Sequence, residues 1–137
     1  MPRSSFKAAL VVVGLTTACA MSMALAHHAF AAEFDKDKPV QLTGRVTQMK
    51  WSNPHSWIYI DVEDEDGNVV NWALETRAAN SLIRLGWRPE DLPVGTVLEV
   101  NGWQARNDSS TASIASAILT DGRRLFTGPS NSSAQQE

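Results

Sequence analysis

Cysteine is almost absent from this chain of 137 residues, which contains a single one, Cys19. It lies in an apolar run from Ala8 to about Ala26 that follows the basic residues Arg3 and Lys7. A basic start, an apolar stretch and the small-x-small site at Ala24–Ala26 are typical of a secretory signal peptide. Cleavage there would leave no cysteine, so a disulfide framework is excluded and the core alone must hold the fold.

Two alternatives to cleavage after Ala26 have less support. The apolar run is long enough to span a membrane, but its polar residues and the lack of a basic flank argue against an anchor. Acylation of Cys19 would make a lipoprotein, yet Thr16 stands where such signals carry leucine. We therefore predict a signal peptide over residues 1–26 and a periplasmic or secreted protein, with no stable membrane insertion after cleavage.

Basic residues are scarce in the remaining chain. Two of the 12 Lys and Arg residues lie within residues 1–26, which leaves 10 against 15 Asp and Glu and a net charge of −5. A domain with this balance lacks the basic surface that follows phosphate backbones. We expect no nucleic-acid partner.

Catalytic motifs are lacking as well. Residues 27–137 contain no Gly-x-Ser-x-Gly element, no phosphate-binding glycine loop and no cysteine nucleophile. Glu75, near Trp72, is one carboxylate without an evident partner for acid–base chemistry. The sequence favours a binding protein over an enzyme, and it leaves enzymatic activity undecided.

Alternating apolar residues are present, and they predict short strands. The first strand begins at Pro39, and its alternation slips near Thr47–Gln48, where a β-bulge would bend it. The acidic segment Asp64–Asn68 predicts a hairpin turn, since a calcium loop would need Val62 as its first ligand. Trp72 alternates in phase with its apolar neighbours Val70 and Leu74, which places it in the core.

The two-residue alternation of apolar residues stops after the third strand, and the spacing that follows predicts one helix between the third and fourth strands. Thr76 is the expected N-cap of a helix from about Arg77 to Leu85, and Gly86 is its expected stop. Leu82 and Leu85 would face inward. A single turn with Pro89 at its first position follows.

The order of three strands, one helix and two strands predicts an all-β fold, a small OB-like β-barrel over residues 39–126. A small two-layer β-sandwich with one helix is the alternative. Residues 27–38 would form an N-terminal arm, in which Phe30 and Phe34 share the face of one helical turn. The small and polar residues 127–137 predict a disordered tail.

The stretch Trp51–Trp57 (WSNPHSW) separates two alternating apolar runs. Pro54 fixes its own φ and disfavours the helical region for Asn53, so the chain must turn there. Such a turn would place His55 at the mouth of the barrel.

Much of the chain after residue 26 resembles a family of small secreted bacterial proteins catalogued only as a domain of unknown function. The resemblance implies an exported protein with a compact β-rich domain, and it implies no activity and no site residues. The segments that carry it are His27-His28-Ala29-Phe30, Phe34-Asp35, Gly44-Arg45-Val46, Trp51-x-Asn53-Pro54-His55, Trp72, Glu75, Leu85-Gly86-Trp87 and Asp121-Gly122-Arg123.

Histidine is rare, because the chain has only His27, His28 and His55. Cleavage after Ala26 would make His27 the first residue, whose amine and ring nitrogens can chelate one metal ion. His55 would complete the three-nitrogen set called a histidine brace, which favours Cu(II), with Zn(II) as the lesser option. His28 would be an alternative or additional ligand. In the opposing interpretation, His27 and His28 form a polar leader and His55 bonds to the backbone of its turn.

Four residues near the turn are candidates for a ligand-binding wall: Trp51, Asn53, Trp57 and Glu75. For the two tryptophans, packing inside the protein is the alternative. The sequence thus supports two hypotheses. One is an exported periplasmic protein that binds a metal ion, copper in preference to zinc, and the other is a metal-free OB-like module for a small ligand or a periplasmic protein partner.

Overall fold

The structure is a computed structural model that describes residues 30–126, with side chains up to Arg124. The predicted signal peptide, His27, His28 and the predicted tail therefore lie outside the described residues. Residues 30–33 are helical, and a separate compact unit begins at Phe34. Within residues 30–126 no helix is long and apolar enough to cross a membrane.

The unit that begins at Phe34 consists mainly of β-strands. In chain order its elements are β1 (Phe34–Lys50), β2 (Trp57–Glu63), β3 (Val69–Glu75), α1 (Ala79–Arg84), a 3-10 turn (Pro89–Asp91), β4 (Val97–Ala105), β5 (Thr111–Leu119) and β6 (Arg124–Phe126).

Strand pairing runs in a closed circuit from β1 through β2, β3, β5 and β4 back to β1. The β3–β5 contact is parallel and the other four are antiparallel. The strand β6 adds to β5 as a trailing edge. With α1 between the third and fourth strands, this is the strand order of the OB fold. The all-β prediction is confirmed.

The first strand is longer than the alternation predicts. It starts at Phe34, which pairs with Ala105 at the end of β4 and is buried. Phe34 is therefore a strand residue and shares no helical face with Phe30, because pairing with β4 extends the strand into the predicted arm. The predicted bulge is confirmed, since the register with β2 shifts between Val46 and Gln48.

The core lies between the strands and beneath α1. Its fully buried members include Ile58, Leu74, Leu82, Trp87 and Ile114. Trp72, which the alternation predicts in the core, is half-buried and packs against this cluster without being one of its buried members. Val70 is 41% exposed, contrary to its predicted place in the core, because it lies beside the hairpin turn. The fully buried tryptophan is Trp87.

The helix starts later than predicted and has a different cap. It begins at Ala79 with Ala78 at the N-cap, and no side chain caps it. Thr76 does not cap the helix and lies before its N-cap; its N–H donates to the Ser56 carbonyl and its hydroxyl to the Arg77 carbonyl. The pairing of β2 with β3 thus extends one residue further and delays the helix.

The end of α1 is as predicted. Gly86 has a φ of +98°, a left-handed conformation that glycine adopts without steric cost. Trp87 N–H donates to the Leu82 carbonyl over 3.0 Å, and Gly86 N–H donates to the Ile83 carbonyl over 3.1 Å, which is a Schellman motif. Leu85 is 46% exposed, so its predicted inward position is wrong. The chain leaves the helix at Leu85, and Trp87 packs into the core instead.

Candidate functional site

The site forms around the loop between β1 and β2, residues 51–56, which we call the clamped loop. It contains a cis peptide bond between Asn53 and Pro54. Asn53, Pro54 and His55 are exposed, whereas Ser56 is completely buried. The predicted turn at Pro54 is therefore present, and it presents His55 at the surface.

Hydrogen bonds within the clamped loop close it on itself. Ser52 N–H donates to the Ser56 hydroxyl oxygen over 3.2 Å, and that hydroxyl donates to the Ser52 carbonyl over 3.1 Å. The Ser52 hydroxyl donates to the His55 carbonyl. The backbone on both sides of His55 is thus held by two serines.

Further hydrogen bonds attach the clamped loop to the link between β3 and α1. Ser56 N–H donates to the Arg77 carbonyl over 3.1 Å, and Thr76 N–H donates to the Ser56 carbonyl over 2.9 Å. Ala79 N–H donates to the Ser52 carbonyl over 3.0 Å. These backbone contacts give His55 a defined position relative to the end of β3.

The side chain of His55 contacts Glu75, the last residue of β3. The ring nitrogen Nδ1 forms a hydrogen bond with Glu75 Oε1. The His55 side chain is 53% exposed, whereas that of Glu75 is only 10% exposed. The structure therefore gives Glu75 a partner, contrary to the sequence-based expectation, and the His55 ring bonds to a carboxylate rather than to the backbone of the turn.

The predicted wall residues lie in different environments. Trp51 is half-buried and packs against the core. Trp57 is half-buried and pairs directly with Glu75, so the two side chains lie on the same face of the sheet. Asn53 is exposed on the clamped loop. The structure therefore brings Trp57, Glu75 and His55 together, whereas Trp51 mainly contributes to packing.

Of the three histidines in the metal site predicted from the sequence, His55 is described, and His27 and His28 lie outside the described residues. Within residues 30–126, no group of three or more His, Cys, Asp and Glu side chains is arranged to hold a metal ion. What the structure describes is His55 with its carboxylate partner Glu75. Such a pair can present a metal ligand, since metal-binding histidines commonly donate their other ring N–H to a carboxylate.

Sequence reasoning missed Ser52 and Ser56, which hold the clamped loop. A signal was present, because the two serines flank the Asn-Pro-His segment and serine hydroxyls often bond to nearby backbone. Their contacts with Arg77 and Ala79 had no local signal, since they depend on the return of β3 beside β2.

A family model described as "Family of unknown function (DUF6152)" matches residues 15–114, well over half of the chain. No curated protein and no solved structure gives a significant match.

Proposed function

We propose that this chain, which belongs to the DUF6152 family of unknown function, is an exported protein that binds one metal ion. Copper is the favoured metal and zinc the lesser option. The ligands would be the amine and ring of His27, as the first residue after cleavage, together with the ring of His55. His28 would be an alternative or additional ligand.

One observation carries this proposal: a half-exposed imidazole, that of His55, is in contact with the buried carboxylate of Glu75. Outer carboxylates of this kind orient histidine ligands in metal sites. The clamped loop adds support, because hydrogen bonds from Ser52 and Ser56 hold the backbone around His55. A ring held in this way loses little further freedom when it binds a metal ion.

The proposed metal follows from the proposed ligands. Amine and imidazole nitrogens in a planar or tetragonal set favour Cu(II) above other divalent ions. A three-nitrogen site is also compatible with Zn(II), which accepts histidine ligands in a tetrahedral array. The mature chain would have no thiolate that selects a softer metal, since Cys19 lies in the predicted signal peptide.

The proposal requires export and cleavage, because only a free His27 amine can chelate. Intact-mass measurement of the exported protein should therefore show a chain that starts at His27. A start at Met1 or at an acylated Cys19 would contradict the proposed ligand set. Periplasmic location would follow from the same signal peptide.

Copper titration of the protein with a native His27 terminus tests the metal. We expect one Cu(II) per chain, with nitrogen ligation visible by electron paramagnetic resonance. One extra residue before His27 should remove most of the affinity, and His55→Ala should leave a weaker site with the N-terminal nitrogens. Affinity should fall as the pH is lowered, because protonated imidazole cannot bind a metal ion.

The control is a peptide that begins with His-His-Ala-Phe, which binds copper without any fold. If the intact protein binds copper no more tightly than this peptide, the folded domain contributes nothing and the metal proposal fails.

The metal-free binding module would then be favoured. It has one supporting observation: Trp57 and Tyr59 are half-buried on the outer face of β2, and OB folds bind ligands on the β2–β3 face beside the β1–β2 loop.

A further inference from the structure

We infer that Glu75 is a positioning residue, which holds a proton on Nδ1 of His55 and thereby makes Nε2 the metal-binding atom. This inference rests on the proposed function and makes it more specific. It assigns one of two ring nitrogens and adds a residue that does not itself touch the metal.

The contact between the two side chains selects the tautomer. An ionised carboxylate only accepts hydrogen bonds, so beside an ionised Glu75 the Nδ1 atom that meets Oε1 is the donor. In a neutral ring the proton is then on Nδ1, and Nε2 carries the lone pair. The hydrogen bond that one ring nitrogen makes decides which nitrogen binds a metal.

The side chains of Glu75 and His55 differ in how much of each is buried. Glu75 is largely covered, whereas about half of the His55 side chain is open to solvent, at 10% and 53% exposure. Because Nδ1 faces Glu75, Nε2 lies on the opposite side of the ring. Nε2 is therefore the ring nitrogen available to a metal ion that approaches from outside.

The backbone on both sides of the contact holds the imidazole and the carboxylate close to each other. Glu75 pairs in register with Trp57, two residues after His55. Ser56, between them, exchanges hydrogen bonds with Thr76 and Arg77. The carboxylate on β3 and the imidazole on the clamped loop are thus carried by backbone segments that these hydrogen bonds join.

Nitrogen-15 NMR of the metal-free protein tests the assignment directly. At a pH where the ring is neutral, we expect His55 to be protonated on Nδ1 in the wild type. Glu75→Gln keeps an oxygen that accepts the hydrogen bond, so it should largely retain this tautomer. Glu75→Ala should shift the ring toward a mixture of tautomers.

Copper affinity then tests the positioning role. Loss of an outer partner of a histidine ligand typically lowers metal affinity about 10–100-fold. We expect such a loss for Glu75→Ala, a smaller one for Glu75→Gln, and none for the control Glu63→Gln, which alters an exposed glutamate at the far end of β2. If Glu75→Ala fails to fold, the copper affinity of Glu75→Gln and the wild-type NMR measurement still test the positioning role of Glu75.

The two proposals fail in different ways. A wild-type His55 protonated on Nε2 would overturn the role of Glu75, even if copper binds through His55. If instead Nδ1 is protonated but His55→Ala leaves copper affinity unchanged, the proposed function fails, and with it the role of Glu75 toward a metal. Nδ1 protonation together with a loss of affinity in both Glu75 variants supports both proposals.

Discussion

The two ends of β2 connect to loops that are held by different kinds of contact. At the hairpin turn, residues 64–68, the Asp64 carboxylate accepts hydrogen bonds from the backbone N–H groups of Asp66 and Asn68. All of these partners lie within the turn itself. At the other end, Ser52 and Ser56 of the clamped loop bond to residues 76–79, at the start of the helical segment.

The hairpin turn is therefore held by hydrogen bonds between its own residues, whereas the clamped loop also makes hydrogen bonds to a distant part of the chain. The hairpin turn needs only its own side chains and a glycine at positive φ, Gly67. The clamped loop has local hydrogen bonds of its own, and it is also attached to the link between β3 and α1. His55 is therefore positioned in the region that tertiary structure holds, and three changes test this contrast.

The largest effect is expected from Trp87→Ala, which disrupts the core next to α1. Trp87 is fully buried and its N–H completes the end of the helix. Truncation of a buried aromatic residue should lower the free energy of unfolding by about 3–5 kcal/mol. Chemical denaturation measures this change, with Val69→Ala at the hairpin end as the control, since Val69 is 60% exposed and should cost less than about 0.5 kcal/mol.

Two other tryptophan variants sharpen the result. Trp72→Ala should cost less than Trp87→Ala, because Trp72 is only half-buried. Trp87→Phe should also cost less than the alanine change, since the buried indole N–H has no hydrogen-bond partner among the described residues. If Trp72→Ala were the most damaging change, Trp87 would not be the main support of this end of the barrel.

An intermediate effect is expected from Ser56→Ala in the clamped loop. Its hydroxyl is buried and bridges the N–H and carbonyl of Ser52, so its removal should cost about 1–3 kcal/mol of unfolding free energy. Under the proposed function, copper affinity should fall as well, because the backbone beside His55 is less well held. Thermal unfolding and copper titration measure the two effects.

Ser52→Ala is the matched control for that change. It keeps the backbone groups that bond to Ser56 and removes only the hydrogen bond to the His55 carbonyl. We expect a smaller loss of stability than for Ser56→Ala. The reverse order would show that the hydroxyl of Ser52, and not that of Ser56, holds the clamped loop.

The smallest effect is expected from Asp64→Ala at the hairpin turn. Hydrogen bonds from the Asn68 side chain and then from its backbone lower the pKa of Asp64 below its ordinary value. A carboxyl with a lowered folded-state pKa stabilises the fold above its unfolded-state pKa, and this stabilisation is lost as the pH falls through the folded-state value. The difference in unfolding free energy between wild type and variant should therefore be present at pH 7 and shrink in acid below about pH 4.

Copper affinity is the second measurement on Asp64→Ala, and it should not change at neutral pH. A stability difference that persists unchanged into strong acid would mean that the charge of Asp64 is irrelevant to the turn. A fall in copper affinity would mean that the hairpin turn and the clamped loop are coupled, which would remove the contrast between the two ends of β2.

Much of the barrel follows from short-range patterns. Alternation predicts the strands because side chains in a strand point to opposite faces with a period of two. The slip near Thr47 predicts the bulge, and the acidic segment at Asp64 predicts the turn. Gly86 predicts the helix end because its left-handed conformation disfavours other residues.

Other features could not be predicted because they depend on neighbours from elsewhere in the chain. Phe34 continues β1 since Ala105 is there to pair with it. Thr76 has the side chain of a good N-cap. Its N–H, however, donates to the Ser56 carbonyl and continues the pairing of β2 with β3, so the helix starts later. In both cases pairing between distant segments outweighs a local preference.

The sequence by itself therefore determined most of the strands, their order along the chain, the hairpin turn and the turn at Pro54 that carries His55. Only the tertiary structure decided that His55 meets Glu75, which lies 20 residues further along the chain. That contact needs the antiparallel register of β2 with β3, which places Trp57 opposite Glu75, and it needs the clamped loop to return His55 to the same side. Alternation specifies which face a residue occupies, whereas register and distant hydrogen bonds specify which residue it meets there.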